Sequence, residues 1–295
     1  MRILILGGAG MLGHQLWRRL HANHEVWVTL RQPLEKYQRH GLFEAERTLT
    51  AVDVTRDETL SEVFRIVCPE AVINCVGIIK QLREAADPLV SIAINSLLPH
   101  RVNRLCASSG ARLIHISTDC VFSGRKGSYT EHDVSDAEDL YGRSKFLGEV
   151  SGPSGLTLRT SIIGRELETK SGLIEWFLSQ RGKTIKGYRR AIYSGFTTLE
   201  LARIVELVLT RHPELHGLWQ VSAEAINKYE LLKIAQQSFG WPGEILPDDT
   251  LVCDRSLDST KFRTATGYRP PSWPSMMEEL ARASLDSLSL PLARP

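Results

Sequence analysis

The first half of the chain alternates short apolar runs with longer segments in which apolar residues recur every three to four positions. The short runs predict buried strands, and the longer segments predict amphipathic helices. Strands are predicted at residues 2–6, 25–30, 49–53, 71–76, 111–117 and 155–160. Helices are predicted at residues 11–22, 57–67, 88–109 and 140–150. This alternation indicates an α/β fold with a doubly wound parallel sheet and right-handed crossovers.

Beyond Thr160 the alternation becomes less regular. Helices are predicted at residues 173–180, 198–210, 228–239 and 276–283, between loops that contain Gly and Pro. The pattern predicts a Rossmann-like dinucleotide-binding domain at residues 1–164, joined by parts of residues 191–222. The remainder, residues 165–295, is predicted to form a smaller and discontinuous substrate-binding lobe.

A glycine-rich turn, GGAGMLG at residues 7–13, lies between the first predicted strand and the first predicted helix. Glycine permits a tight turn, a close approach of backbone to a pyrophosphate, and close packing of helix on strand. The helix N-terminus also favours phosphate groups. A purely structural turn is the alternative. The position of Gly7, Gly10 and Gly13 between strand and helix favours dinucleotide binding.

The end of the second predicted strand bears on the choice of cofactor. An acidic residue there typically binds the ribose hydroxyl of NAD, whereas arginine accommodates the extra phosphate of NADP. The strand ends at Arg31, and its only carboxylate, Glu25, lies at the other end. The sequence therefore favours NADP(H), with NAD(H) possible and a solvated arginine as the alternative. Asp53 could bind the adenine amino group or, alternatively, cap the next helix.

Tyr141 and Lys145 lie four residues apart on a predicted helix, so both project from one face. A nearby ammonium lowers the pKa of a phenol, which can then exchange a proton with a substrate oxygen during hydride transfer. Tyr229 and Lys233 have the same spacing. Tyr141 is preferred because its helix follows the fifth strand, whose carboxyl end faces the crevice of an open α/β sheet.

The sequence resembles the extended short-chain dehydrogenase/reductase family, and within it the dTDP-4-dehydrorhamnose reductase (RmlD-like) branch. Six segments carry the resemblance, in order across residues 1–164: GGAGMLG, INCVG, ISTDCVFSG, YTEHD, YGRSKFLGE and LRTSIIG. A looser likeness continues to about residue 280. The resemblance implies a catalytic trio of Thr118, Tyr141 and Lys145, with Ser117 and Asp119 beside the substrate.

The resemblance also implies cofactor contacts. These are Gly10, Met11 and Leu12 at the pyrophosphate, Asp53 and Val54 at the adenine, Val76, Gly77 and Ile78 along the middle of the cofactor, Lys145 at the nicotinamide ribose, and Asn95 as an organiser of the site through backbone and water contacts. The chain departs from related nucleotide-sugar dehydratases, which carry an Asp-Glu pair after the threonine. Asp119-Cys120 lacks the second carboxylate, which favours reduction over dehydration.

Basic residues mark the predicted substrate side. Arg189 and Arg190 belong to a basic segment whose guanidinium groups suit a diphosphate, although a solvated loop is an equal alternative. Lys80, beyond the fourth predicted strand, could reach the mouth of the site. Two further departures concern the family motifs: Ile162 stands where relatives often have tryptophan, and the proline usual before the tyrosine motif is absent. Both leave the sugar unidentified.

Composition narrows the class of protein. With 36 Lys and Arg against 34 Asp and Glu, the net charge of +2 gives no field that would attract nucleic acid or a membrane surface. Five cysteines without a CxxC motif indicate reduced thiols and a cytoplasmic protein, and the N-terminus does not resemble a signal peptide. Nine histidines without metal-ligand spacing argue against a metal centre.

Three functional hypotheses follow. The leading one is an NADPH-dependent reductase of the 4-keto group of a nucleotide-activated deoxysugar, dTDP- or UDP-linked, for polysaccharide or natural-product synthesis. The second is a nucleotide-sugar epimerase that retains its NAD(P). The third is a non-catalytic, NADP-binding regulatory subunit. A homodimer is possible in each case.

Overall fold

A computed structural model of the protein describes residues 1–289; residues 290–295, which end the predicted substrate lobe, lie outside the described residues. Its centre is a parallel sheet of seven strands. In chain order these are β1 (Arg2–Leu6), β2 (Glu25–Thr29), β3 (Thr48–Leu49), β4 (Ala71–Asn74), β5 (Arg112–Thr118), β6 (Gly155–Thr160) and β11 (Gly217–Gln220). Their spatial order is β11-β6-β5-β4-β1-β2-β3. The predicted Rossmann-like fold is confirmed.

The helices are α1 (Gly13–Leu20), α2 (Asp57–Val67), α3 (Pro88–Ser91), α4 (Leu98–Ser109), α5 (Leu140–Leu147), α6 (Leu173–Ser179), α7 (Thr198–Arg211), α8 (Lys228–Ser238), α9 (Thr260–Thr266) and α10 (Trp273–Ser289). A wider, π-type turn at Ile92–Leu97 joins α3 to α4. The shorter strands form three small sheets: β7 (Ile162–Ile163) with β10 (Phe196–Thr197), β8 (Thr184–Tyr188) with β13 (Glu244–Asp248), and β9 (Ala191–Tyr193) with β12 (Ile226–Asn227) and β14 (Cys253–Asp254).

The apolar run of β1 is continuous because helices cover both faces of the sheet. Ile3 and Ile5 point into a core that includes residues of α1 and α7. Leu4 and Leu6 point into a second core, shared with residues of α2 and α4. Successive side chains of β1 point to opposite faces of the sheet, so this one strand contributes to both cores, as expected for a buried parallel sheet.

The strand order changes direction at β1, which lies between β2 and β4. In an open α/β sheet the crevice beyond the carboxyl ends of such strands is the usual ligand site. At this edge an ideal Cβ on Gly7 would lie 3.0 Å from Cγ2 of Val76, just past β4. The glycine turn and the end of β4 therefore meet at the crevice.

Most of the predicted elements end within a few residues of the observed bounds, and the helix predicted at residues 88–109 is interrupted by the π-type turn. Two further differences are larger. The strand predicted at residues 49–53 is wrong in extent, because the chain leaves the sheet after Leu49 and Ala51 has a φ of 53°. The last predicted helix, 276–283, belongs to the longer α10. Strand β11 pairs with β6 in the main sheet, and the division into two domains stays a prediction. None of the helices within residues 1–289 is long and apolar enough to span a membrane.

Candidate active site

The turn at residues 7–13 is tightly constrained by its own backbone. Gly7 has a φ of 83°, and a Cβ on Gly13 would lie 2.2 Å from the carbonyl oxygen of Gly7. At Gly10 the nearest atom to an ideal Cβ is that same oxygen, at 3.3 Å, so this position faces largely open space. The amides that open α1 have no acceptor within the helix. The turn therefore fits a pyrophosphate.

Other predicted cofactor residues surround this turn in different ways. The side chain of Leu12 is buried in the core, so only its backbone can face a ligand. Met11 contacts the loop at Gly172, where a Cβ would lie 2.7 Å from its Cε. Ile78 is buried, and a Cβ on Gly77 would lie 3.5 Å from Oδ1 of Asn95.

Asp53 and Arg31 lie near each other beyond the ends of β3 and β2. The Asp53 carboxylate accepts hydrogen bonds from the amide and hydroxyl of Thr55, at 3.0 and 2.7 Å. These bonds, with the charges of Arg56 and Arg31, hold the pKa of Asp53 below its usual value. Asp53 thus stabilises the turn that leads into α2, but the N-cap residue of that helix is Arg56, so Asp53 does not cap it. Arg31 is exposed, and Val54 is partly buried.

A glycine at the start of α5 brings that helix against the end of β5. Asp139 caps the helix by accepting a 2.7 Å bond from the amide of Gly142. A Cβ at residue 142 would lie 2.2 Å from the carbonyl oxygen of Cys120. Only glycine permits this approach, and it places Tyr141 beside the turn that follows Thr118.

Thr118 and Tyr141 come together at this point. The Thr118 hydroxyl donates to Asp119 at 3.2 Å and accepts from the amide of Cys120 at 3.1 Å. Desolvation raises the pKa of Tyr141, as do the nearby Cys120 and Asp119, while the hydrogen bond with Thr118 lowers it. The sequence-based expectation of a lowered phenol pKa is therefore wrong here, because burial outweighs the favourable contacts.

Lys145 is buried one helical turn further along α5. Its Nζ donates a 2.8 Å hydrogen bond to the carbonyl oxygen of Ile116 on β5. Desolvation lowers the pKa of Lys145 to about 8, although the Glu149 carboxylate and, to a smaller extent, Cys75 act in the opposite direction. Since Cys75 follows β4, Lys145 lies between the carboxyl ends of β4 and β5.

Asn95 links the loop after β4 to the helix that carries Tyr141 and Lys145. It occupies the π-type turn, a feature often found at functional sites. Its amide group accepts from the Ile78 amide at 2.9 Å and donates to the Ile78 carbonyl at 3.0 Å and to the Ser144 hydroxyl at 3.2 Å. Asn95 therefore ties the loop after β4 to α5.

Positive charge collects around Asp119. Burial raises the pKa of this carboxyl, and the charges of Arg255 and Lys80 lower it. Arg255 donates to the Phe122 carbonyl at 2.7 Å and approaches the Cys120 sulfur at 3.7 Å. Half-buried Lys228, at the start of α8, also interacts with Lys80 and Asp119. Lys80, Lys228 and Arg255 thus form a cation cluster beside the candidate site.

Three predicted substrate residues have other contacts in the structure. Ser117 is buried and donates to Glu149 at 2.7 Å. Arg189 pairs with Asp249 between β8 and β13. Arg190 is exposed, and its carbonyl accepts from the Cys253 amide.

Sequence reasoning missed Gly142, Lys228 and Glu149. Gly142 gave two sequence signals: it is a glycine inside an otherwise helical pattern, and it lies between Tyr141 and Lys145 in a segment that carries the family resemblance. Glu149 stands in the segment YGRSKFLGE, and Lys228 gives no signal, because its neighbours come from distant parts of the chain.

A glycine-turn nucleotide fold with Thr, Tyr and Lys at the end of the fifth strand defines an NAD(P)-dependent oxidoreductase of the extended short-chain dehydrogenase/reductase type. The family model described as "RmlD substrate binding domain" matches residues 1–172. The chain belongs to this family.

Individual proteins agree with this assignment. The chain is 29% identical to a probable dTDP-4,6-dihydroxy-2-methyloxan-3-one 4-ketoreductase of Streptomyces antibioticus, over 84% of this chain and 80% of that protein. It is 26% identical to methionine adenosyltransferase 2 subunit beta of Danio rerio, over 92% of this chain and 90% of that protein. A dTDP-4-dehydrorhamnose reductase of Bacillus anthracis, solved with NADP, has the same fold with a TM-score of 0.77, at 21% identity, covering 96% of this chain and 99% of that one.

Proposed function

We propose that the protein is an NADPH-dependent reductase of the 4-keto group of a nucleotide-activated deoxysugar, dTDP- or UDP-linked. Membership of the family and the similarity to a named 4-ketoreductase support this proposal. The observation that carries it is the meeting of Thr118 and Tyr141 at the end of β5, with Lys145 between the ends of β4 and β5. Polysaccharide or natural-product synthesis would use such a reaction.

The glycine turn would hold the cofactor pyrophosphate, with Gly10 leaving room for it. Exposed Arg31 would meet the extra phosphate of NADP, the cofactor present in the Bacillus anthracis structure. NAD remains a possible second cofactor. When bound, the reduced nicotinamide supplies the hydride that reaches the carbonyl carbon of the sugar.

Tyr141 would supply the proton. Burial raises its pKa, so the phenol is protonated at neutral pH and ready to donate to a developing alkoxide. The Thr118 hydroxyl shares the proton path, and the ammonium of Lys145 stabilises the tyrosinate that donation leaves behind. A protonated phenol suits reduction better than oxidation, which needs a base at this position.

The residues after Thr118 favour reduction over dehydration. Elimination of water needs an acid and a base near the same sugar carbons. The chain offers the Asp119 carboxyl and the Cys120 thiol there, and burial raises the pKa of that thiol to about 12. A thiol of this kind does not replace a carboxylate at neutral pH.

The cation cluster of Lys80, Lys228 and Arg255 would receive the diphosphate that links nucleoside and sugar. Arginine forks and lysine charges both suit phosphate oxygens. The positive charge of exposed Arg189 is already neutralised by the carboxylate of Asp249. We therefore assign the diphosphate to Lys228 and Arg255 in preference to Arg189 and Arg190.

The proposal is tested by mixing purified protein with NADPH and a series of dTDP- and UDP-linked 4-keto-6-deoxy sugars and following the loss of NADPH absorbance. Tyr141→Phe should lower kcat by about 10²-fold or more while NADPH binding changes little. Phe keeps the ring and removes only the hydroxyl that carries the proton. No turnover by the wild-type protein with any of these sugars would overturn the proposal.

The similarity to a methionine adenosyltransferase subunit favours one second candidate, a non-catalytic regulatory subunit. The complete set of Thr118, Tyr141 and Lys145 speaks for the enzyme. A stoichiometric complex with a separate synthetase, together with absent reductase turnover, would favour the subunit instead.

We also propose a cytoplasmic homodimer. The five cysteines are free, as expected of a reducing compartment. Exposed apolar side chains gather on the neighbouring segments that contain α3, the π-type turn and α5: Leu89, Ile92, Leu97, Phe146 and Leu147. Sedimentation velocity measures the mass directly, and a monomer at micromolar concentration would count against the dimer.

A further inference from the structure

Glu149 and Arg159 form a buried ion pair behind the end of β5. Nε and Nη2 of Arg159 donate to the two carboxylate oxygens, both at 2.7 Å, so the pair is bidentate. The side chains of Arg159 and Glu149 are only 2% and 9% exposed. Burying two charges costs several kcal/mol per ion, and apolar residues often stabilise a core equally well. Stability alone therefore does not account for this pair.

The same carboxylate holds the strand that carries Thr118. Ser117 donates to Glu149 at 2.7 Å, and Ser117 is the strand partner of Arg159. One residue earlier, the carbonyl of Ile116 accepts the hydrogen bond from Lys145. Helix α5 and the residues just beyond it thus hold two successive residues of β5, immediately before Thr118.

We propose that Glu149 is a positioning residue for proton transfer: its carboxylate holds Ser117, and with it Thr118, beside Tyr141 and provides a counter-charge to the ammonium of Lys145. The inference rests on the proposed reductase function. It concerns a group that does not itself touch the reacting atoms.

The charges around Lys145 single out Glu149. The titratable groups that interact with Lys145 are Glu149 beyond α5, Cys75 after β4 and His115 on β5. Burial raises the pKa of the Cys75 thiol to about 12 and lowers that of His115 well below its usual value, so both are neutral near pH 7. Among these three groups Glu149 supplies the negative charge.

Loss of that charge has a definite direction. Desolvation already lowers the pKa of Lys145 to about 8, and Glu149 is the largest influence that raises it. Without the carboxylate, Lys145 becomes neutral at a lower pH. The tyrosinate that proton donation leaves on Tyr141 then loses its stabilising cation, and the rate falls at a pH where the wild-type protein is still active.

The test compares Glu149→Gln with Glu200→Gln. Glu200 is a matched control on α7, because its 5% exposed side chain also accepts from one hydroxyl, that of Tyr268, and from one arginine, Arg203, at 2.7 Å each. For both variants kcat and KM are measured from about pH 6 to about pH 10. In parallel, NMR of ¹⁵N-lysine-labelled protein follows the Nζ of Lys145, assigned by its loss in Lys145→Met.

In Glu149→Gln we expect the alkaline limb of kcat and the Lys145 titration midpoint both to move down by about one pH unit. KM should change less than about twofold. Glu200→Gln should move neither midpoint, even where it loses as much thermal stability. If Glu149→Gln does not fold, Glu149→Gln/Arg159→Met, which leaves no unpaired buried charge, replaces it and is compared with Arg159→Met, so that only the Glu149 charge differs between the two proteins.

An unchanged Lys145 midpoint in the folded Glu149 variant overturns the inference, whatever the enzymatic activity. Absent turnover in the wild-type protein overturns the proposed reductase function instead, while the NMR midpoint still decides whether Glu149 sets the charge of Lys145. The two failures are therefore distinguishable.

Discussion

At the scale of single residues, backbone groups hold much of the candidate site. The carbonyl of Ile116 fixes Lys145, and the backbone of Ile78 fixes Asn95. Thr118 accepts from the amide of Cys120. A backbone partner stays in place when its own side chain is substituted. The positions of Lys145, Asn95 and Thr118 therefore depend on the backbone conformation around them.

Lys228 offers the sharpest test of the substrate side. Lys228→Met should raise KM for the nucleotide sugar by about tenfold, because a charge-assisted contact to phosphate is worth about 1.5–3 kcal/mol. The KM for NADPH should not change. Lys233→Met is the control, since Lys233 is exposed on the same helix and its Nζ donates to Gln236. Equal effects of the two substitutions would remove Lys228 from the diphosphate site.

At the scale of secondary structure, prediction succeeded where the apolar pattern was long and both ends carried a signal. The predicted bounds of β1, α2 and β6 agree with the structure. Residues 49–53 gave an apolar run too, but the left-handed conformation of Ala51 ends the pairing early. The short strands of the second half, such as β9 and β14, pair across distant segments that no local pattern connects.

In the candidate site, too, residues within local sequence motifs could be predicted, whereas residues brought together by tertiary folding could not. Tyr141, Lys145 and the glycine turn lie within motifs and could be predicted. The diphosphate candidates Lys228 and Arg255 meet Asp119 only through tertiary folding. The basic run that includes Arg189 attracted attention because of its composition, yet its neighbour Asp249 lies sixty residues further along the chain.

The glycine turn allows a prediction about one element. Gly10→Ala should still fold, because its Cβ would meet only the Gly7 oxygen, at 3.3 Å, which a shift of a few tenths of an ångström relieves. It should nevertheless weaken NADPH binding about tenfold or more, as the methyl group occupies space meant for phosphate. Gly13→Ala should instead destabilise the protein by about 1–3 kcal/mol, because its Cβ would overlap that oxygen at 2.2 Å.

Isothermal calorimetry and thermal unfolding separate these two effects. Unchanged NADPH affinity in a folded Gly10→Ala protein would argue against the turn as the pyrophosphate site.

At the scale of the whole molecule, the later part of the chain completes the main sheet. Strand β11 covers the outer edge of β6, all six residues of which are buried. Arg112, at the start of β5, also donates to the carbonyls of Val208, His212 and Leu215 around the end of α7. Residues 1–164 therefore lack a covering strand of their own, and β11 lies within the residues 191–222 from which the prediction adds parts to this domain.

A fragment of residues 1–164 should be poorly soluble, because it leaves the apolar edge of β6 unpaired. A fragment of residues 1–222 includes α7 and β11 and should be the more soluble of the two. Size-exclusion chromatography of both fragments, expressed side by side, measures the difference. A monomeric, folded 1–164 fragment would show that this domain is independent of β11.

The pairing of β5 with β6 has one more consequence. Opposite Arg159 stands Ser117, whose hydroxyl turns inward to a salt bridge, while Thr118, opposite Thr160, turns toward the crevice. The hydroxyls of two adjacent residues thus point to opposite faces of β5, and the register of β5 determines which hydroxyl points to which face. Deleting a single residue from the middle of β5 would keep both hydroxyls in the sequence but turn each of them to the opposite face of the sheet.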